Sequence, residues 1–93
     1  MIKTFNVEET EKVFCRLFSR KLPTDIQGVA LRKLRMLNIA YIMADLRIPP
    51  ANHLEKLTGK KSGQYSIRIN DQWRVCFEWR NNSAYNVEIA DYH

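Results

Sequence analysis

Tyr65-Ser66-Ile67-Arg68-Ile69-Asn70-Asp71-Gln72-Trp73-Arg74-Val75-Cys76-Phe77-Glu78-Trp79 is the stretch whose reading decides the fold. Tyr65, Ile67 and Ile69 alternate with Ser66, Arg68 and Asn70, and Trp73, Val75, Phe77 and Trp79 alternate with Arg74, Cys76 and Glu78. A period of two puts successive side chains on opposite faces of a strand, so each run predicts a half-buried strand. Asn70-Asp71-Gln72 between them is a turn. Further on, Tyr85, Val87 and Ile89 alternate with Asn86, Glu88 and Ala90 after the link Arg80-Asn81-Asn82-Ser83. Asn tolerates positive φ, which suits that link. Three strands on short links predict an antiparallel meander.

Upstream, His53 to Leu57 predicts a shorter strand before the turn Gly59-Lys60-Lys61-Ser62-Gly63. Pro49-Pro50 marks a loop, since proline cannot sit inside a helix. Before it the period changes to 3.6. Ile26, Ala30, Leu34, Leu37 and Tyr41 form one helical stripe that starts after Leu22-Pro23-Thr24-Asp25. Val13, Phe14, Leu17 and Phe18 form another, opened by Asn6 and Glu9 at capping-box spacing. Ile2 to Phe5 reads as a short first strand. The expected fold class is α+β, with two N-terminal helices packed on one face of a small antiparallel-meander sheet. Residues 1–93 make a single domain, because a second core would not fit in 93 residues.

A chain this short buries only about two-thirds of its unfolded surface, so modest stability is expected. No apolar run approaches the roughly 20 residues of a membrane span. Met1-Ile2-Lys3-Thr4-Phe5 lacks the pattern of a signal peptide. Cys15 and Cys76 have no metal-ligand spacing and read as free thiols. The expected compartment is the cytoplasm, with no membrane association.

The net charge is +5, and the cations Arg47, Lys56, Lys60, Lys61, Arg68 and Arg74 face only Glu55 and Asp71 within the segment they span. Strand alternation turns Arg68 and Arg74 onto the sheet face away from the helices, where arginines can grip phosphate bidentately. With Lys56, Lys60 and Lys61 they suggest a basic surface for a polyanion such as RNA, DNA or an acidic protein. An ordinary solvated surface, or cross-strand pairing with Glu78 and Glu88, is the plainer reading.

Gln64 through Phe77 resembles the HigB-like branch of the RelE/ParE toxin superfamily, as do Leu57-Thr58-Gly59 with Gly63 and the terminal Asp91-Tyr92-His93. The Asp25-to-Asn38 helix and the Pro49-Pro50 loop fit as well, so the resemblance covers nearly the whole chain. It implies a RelE-like fold and a ribosome-dependent endoribonuclease that cuts messenger RNA in the A site. It also implies a cognate antitoxin, a HigA-like helix-turn-helix protein, with a monomeric toxin inside the larger toxin–antitoxin complex.

RNA cleavage by 2′-hydroxyl attack needs a base, stabilisation of the phosphorane's charge, and an acid for the leaving 5′-oxygen; no metal or cofactor is required. The product is a 2′,3′-cyclic phosphate. His93 is the expected acid–base group, although a lone terminal histidine also reads as a frayed end. Tyr92 stacks on a base or bonds the phosphate, or is a half-buried aromatic. Asp91 orients His93 or accepts the 2′-OH proton, or simply ends the strand. Arg74 and Arg68 stabilise the phosphate, while Lys56, Lys60 and Lys61 hold the RNA backbone. Members of the branch carry a further histidine before the glycine turn. Glu55 occupies that place here, with His53 two residues earlier, so either is a candidate base. Two other functions share the fold class: a ParE-like gyrase inhibitor, and a non-catalytic ribosome- or RNA-binding module.

Overall fold

The computed structural model describes residues 1–59 and 63–91. Its helices are α1 (Glu8–Phe14) and α2 (Thr24–Ile39), followed by short 3-10 turns at Met43–Arg47 and Pro50–Asn52. The strands are β1 (Glu55–Lys56), β2 (Gln64–Arg68), β3 (Trp73–Arg80) and β4 (Ser83–Asp91). They form one antiparallel sheet in the order β1-β2-β3-β4, the expected meander.

Alternation builds the core as the sequence predicts. Ile67 pairs with Val75 and Val75 with Ile89, and all three are buried. Tyr65 and Trp79 flank the buried Phe77, with ring centroids 6.2 and 6.3 Å from it. Ile26, Ala30, Leu34 and Leu37 from α2 and Val13 from α1 close over this face. Each large side chain removed from water there stabilises the fold by about 1.5–3 kcal/mol.

The tight β3–β4 turn uses Asn81 and Asn82 at φ 50° and 58°, as asparagine's tolerance of that region predicts. Asn86, at φ 52°, is the extra residue of a bulge: Cys76 faces Glu88, yet Glu78 faces Tyr85. That bulge also divides the expected first strand. Ile2 bridges Ala84 and Phe5 bridges Val87, in parallel, on either side of Asn86. Asn86 N donates instead to Thr4 Oγ1 at 2.7 Å.

The helices and β1 depart from the sequence reading in four places. Val7, not Asn6, precedes α1, and Glu9 forms no capping box. Its carboxylate accepts from Ser19 Oγ at 2.5 Å and Lys12 Nζ at 3.2 Å, tying down the loop after the helix. α1 stops at Phe14 and Arg16 takes φ 64°, so Leu17 and Phe18 leave the stripe and stand exposed. α2 ends at Ile39, and Tyr41 is exposed as well. The last departure is β1, which spans Glu55–Lys56 rather than His53 to Leu57. His53 adopts a left-handed conformation (φ 44°, ψ 57°), which is incompatible with a strand.

Candidate active site

The sheet carries its polar chemistry on the face opposite the helices. Cross-strand partners share a face, so the register groups Glu55 with Ser66, Cys76 and Glu88, and Arg68 with Arg74 and Ala90. Arg68 and Arg74 therefore share the face that alternation predicts, and the register sets them directly opposite one another. Their environments differ. Arg68 pairs with the exposed Asp71 across the β2–β3 turn. Arg74 is only 9% exposed, and protein acceptors hold it. Its Nε donates to Ser66 Oγ at 2.7 Å, and its Nη2 donates to the His53 carbonyl at 2.5 Å and more loosely to the Ser66 carbonyl at 3.4 Å.

These acceptors set the plane of the guanidinium. Ser66 is fully buried and directly opposite Cys76, two residues along β3 from Arg74. Among the described residues, neither Glu78 nor Glu88 makes an ion pair with Arg68 or Arg74. Glu78 accepts from Asn86 Nδ2 at 2.7 Å and lies 3.9 Å from Arg80. An arginine bound to a hydroxyl and carbonyls keeps its full positive charge.

Glu55 and His53, the two candidate bases, are placed differently. Glu55 is exposed, opposite Ser66, and so on the face that Arg74 occupies. His53 brings its backbone carbonyl to Arg74, and the residue as a whole is exposed. Lys56 separates from the group. It pairs with Tyr65, which pairs with Phe77, and so it belongs to the helix-side face. There it lines a cleft of about 460 Å³ with Met43, Arg47, Leu54 and Tyr65.

Asp91 ends β4 opposite Trp73 and accepts a hydrogen bond from Gln72 Nε2 at 3.1 Å. Register puts it on the alternate parity to Arg74, one pair further along. β4 thus ends beside the start of β3. Tyr92, His93, Lys60 and Lys61 lie outside the described residues.

Sequence reasoning missed the residues that hold Arg74. Ser66 was legible as the polar partner in the Tyr65/Ile67 alternation. Asn52 was not. It is fully buried, accepts from Lys33 Nζ at 2.5 Å through Oδ1, and donates through Nδ2 to the carbonyls of Leu46 at 3.1 Å and Ile48 at 3.4 Å. Lys33 sits on the apolar face of α2, where burial, reinforced by repulsion from Arg32 and Arg68, lowers its pKa.

A family model described as the RelE-like toxin HigB of type II toxin–antitoxin systems matches residues 4–93. Toxin HigB-1 of Vibrio cholerae is 43% identical over 70 residues, covering 75% of this chain and 74% of that protein. Endoribonuclease HigB of Proteus vulgaris is 26% identical over 100% of both chains. A YoeB–YefM complex from Staphylococcus aureus contains a chain of the same fold, with a TM-score of 0.62 and 15% identity over 100% of this chain and 98% of that one. Both the helical layer and the arginine-bearing sheet fall within the matched span, and the chain belongs to the HigB-like family of RelE-like toxins of type II toxin–antitoxin systems.

Proposed function

We propose that this toxin is a ribosome-dependent endoribonuclease that cuts messenger RNA in the A site by 2′-hydroxyl attack. The observation that carries the reading is Arg74: a buried guanidinium, without an ion pair among the described residues, held on the sheet face by Ser66 and the His53 backbone. Charge developing on a phosphorane is stabilised best by a donor fixed before the reaction begins. The relative from Proteus vulgaris, named an endoribonuclease, supports the same chemistry.

In this scheme Arg74 holds the scissile phosphate and Arg68 gives further positive charge beside it. Glu55, on the same face, is taken as the base for the 2′-hydroxyl, with His53, in the turn that precedes β1, as the alternative. The 2′-oxygen bonds phosphorus, the P–O5′ bond breaks, and His93 protonates the departing 5′-oxygen, leaving a 2′,3′-cyclic phosphate. Tyr92 stacks on the adjoining base and Asp91 orients His93. Lys60 and Lys61 hold the RNA backbone, an attraction that salt weakens. Lys56, on the helix-side face, is assigned to ribosomal RNA rather than to the reacting strand.

The cognate antitoxin is a HigA-like helix-turn-helix protein, the toxin is monomeric within their complex, and both act in the cytoplasm. Primer extension on mRNA incubated with purified ribosomes tests the activity, beside a no-ribosome control and a His93→Gln variant. Discrete ribosome-dependent cuts that vanish in the variant are the expected outcome. The absence of cuts on intact ribosomes overturns the proposal.

A further inference from the structure

A lysine on the apolar face of a helix is costly unless something requires it, because burial disfavours its charge. Lys33 lies among Ile26, Ala30, Leu34 and Leu37, the α2 residues that make the core, and is only 9% exposed. Arg32 and Arg68, the charges that act on it, are both positive, and among the described residues it makes no ion pair with a carboxylate. Its ammonium has a specific partner: it donates to Asn52 Oδ1 at 2.5 Å.

That bond fixes which way the Asn52 amide points. With Oδ1 toward Lys33, Nδ2 faces the Leu46 and Ile48 carbonyls and closes the Met43–Asn52 segment on itself. Asn52 is fully buried, and the short turn it ends, Pro50–Asn52, packs on β2. The next residue is His53, whose left-handed backbone turns the chain into β1 and brings its carbonyl to 2.5 Å from Arg74 Nη2. Ser66 fixes Nε of the same guanidinium from the sheet side. A continuous path therefore runs from α2, through Lys33, Asn52 and the His53 carbonyl, to Arg74.

We infer that Lys33 and Asn52 are positioning residues that aim Arg74 at the scissile phosphate through the backbone of His53. The inference rests on the proposed role of Arg74, and Lys33 itself touches no RNA. Without the ammonium, Asn52 loses the partner that orients its amide, the His53 turn relaxes, and Arg74 keeps only its Ser66 anchor. Misplacing a transition-state donor reduces turnover more than substrate binding.

The experiment uses the full chain with Lys33→Met, which keeps the length and apolar stem, and Asn52→Ala. Each is measured for ribosome-dependent cleavage alone and in an Arg74→Ala background. The ¹⁵N–¹H signal of the Arg74 Nε–H is followed in parallel. Each single variant is expected to lower kcat by about tenfold or more with KM within about twofold, and to quicken exchange of the Nε–H with water. In the Arg74→Ala background neither substitution should lower the rate further, because the group they act on is gone. Losses that multiply with Arg74→Ala, or a wild-type rate in Lys33→Met, overturn the inference. If the wild type does not cut at all, the functional reading has failed, and the Nε–H exchange alone decides the positioning path. Should neither Lys33→Met nor Lys33→Gln fold, Lys33 is a structural peg and the inference falls.

Discussion

Replacing Ser66 with alanine removes one oxygen atom and tests the geometry of the site directly. Ser66 is fully buried, Arg74 is 9% exposed, and Ser66 Oγ accepts from Arg74 Nε at 2.7 Å. In Ser66→Ala the Nε–H points at a methyl group with little access for water. Leaving a buried donor of a charged group unsatisfied costs about 1.5–3 kcal/mol, and the small cavity left by the oxygen adds little. A domain of this size loses roughly 4–8 °C of Tm for each kcal/mol. Thermal unfolding followed by circular dichroism should therefore show a drop of roughly 6–24 °C, with a parallel loss in urea and an unchanged m-value. Cleavage should fall as well, since the His53 carbonyl alone leaves the guanidinium free to pivot. A Ser66→Ala protein within about 0.5 kcal/mol of the wild type would refute the reasoning. It would mean that water serves Nε and that Ser66 does not fix Arg74.

Arg74→Ala should reduce cleavage by roughly 10²–10³-fold, read by primer extension on ribosomes, in keeping with the loss of one oxyanion donor. Leu34→Ala, at a position with no exposed surface, should cost about 2–5 kcal/mol in urea denaturation. Phe18→Ser should change stability by less than about 0.5 kcal/mol, because Phe18 is 61% exposed despite its place in the apolar stripe. The hydrogen bond from Ser19, with Lys12 beside it, holds the Glu9 carboxyl below its ordinary pKa of 4.5. A lowered carboxylate pKa contributes stability above pH 4.5 that is lost as pH falls through the folded value. Ser19→Ala should thus be less stable than the wild type at pH 7, with the gap closing in acid, as pH-dependent denaturation would show.

The sheet was legible because its information is local. Tyr65/Ile67, Trp73/Val75/Phe77/Trp79 and Val87/Ile89 each state their face by alternation, and the short links leave few ways to pair them. The errors fall where tertiary partners outcompete a local signal. Asn6 and Glu9 have capping-box spacing, but Ser19, ten residues beyond Glu9, takes its carboxylate. Leu17 and Phe18 continue the helical period after Phe14, but the chain turns at Arg16 and takes them out of the core. The bulge at Asn86 was not legible either. Asparagine marks tolerance of positive φ without saying whether the chain turns or inserts a residue.

The site divides along the same line. Alternation alone placed Arg68 and Arg74 on the face away from the helices, and the structure keeps them there and pairs them. What alternation does not give is the state of a side chain on its face, and that determines its use. Arg68, facing an exposed aspartate across the turn, has part of its charge answered and its partner out in solvent. Arg74, between a buried hydroxyl and a backbone carbonyl, has neither property. The His53 carbonyl comes from a residue whose side chain attracted attention in the sequence, whereas its backbone supplies the observed contact. The residues behind it, Asn52 and Lys33, carry no sequence pattern that marks them as partners of one another. A one-dimensional pattern cannot tell that a lysine faces inward among leucines until the loop that receives it is in place. For this reason the face that carries Arg74 was readable from sequence, and the residues that hold its guanidinium were not.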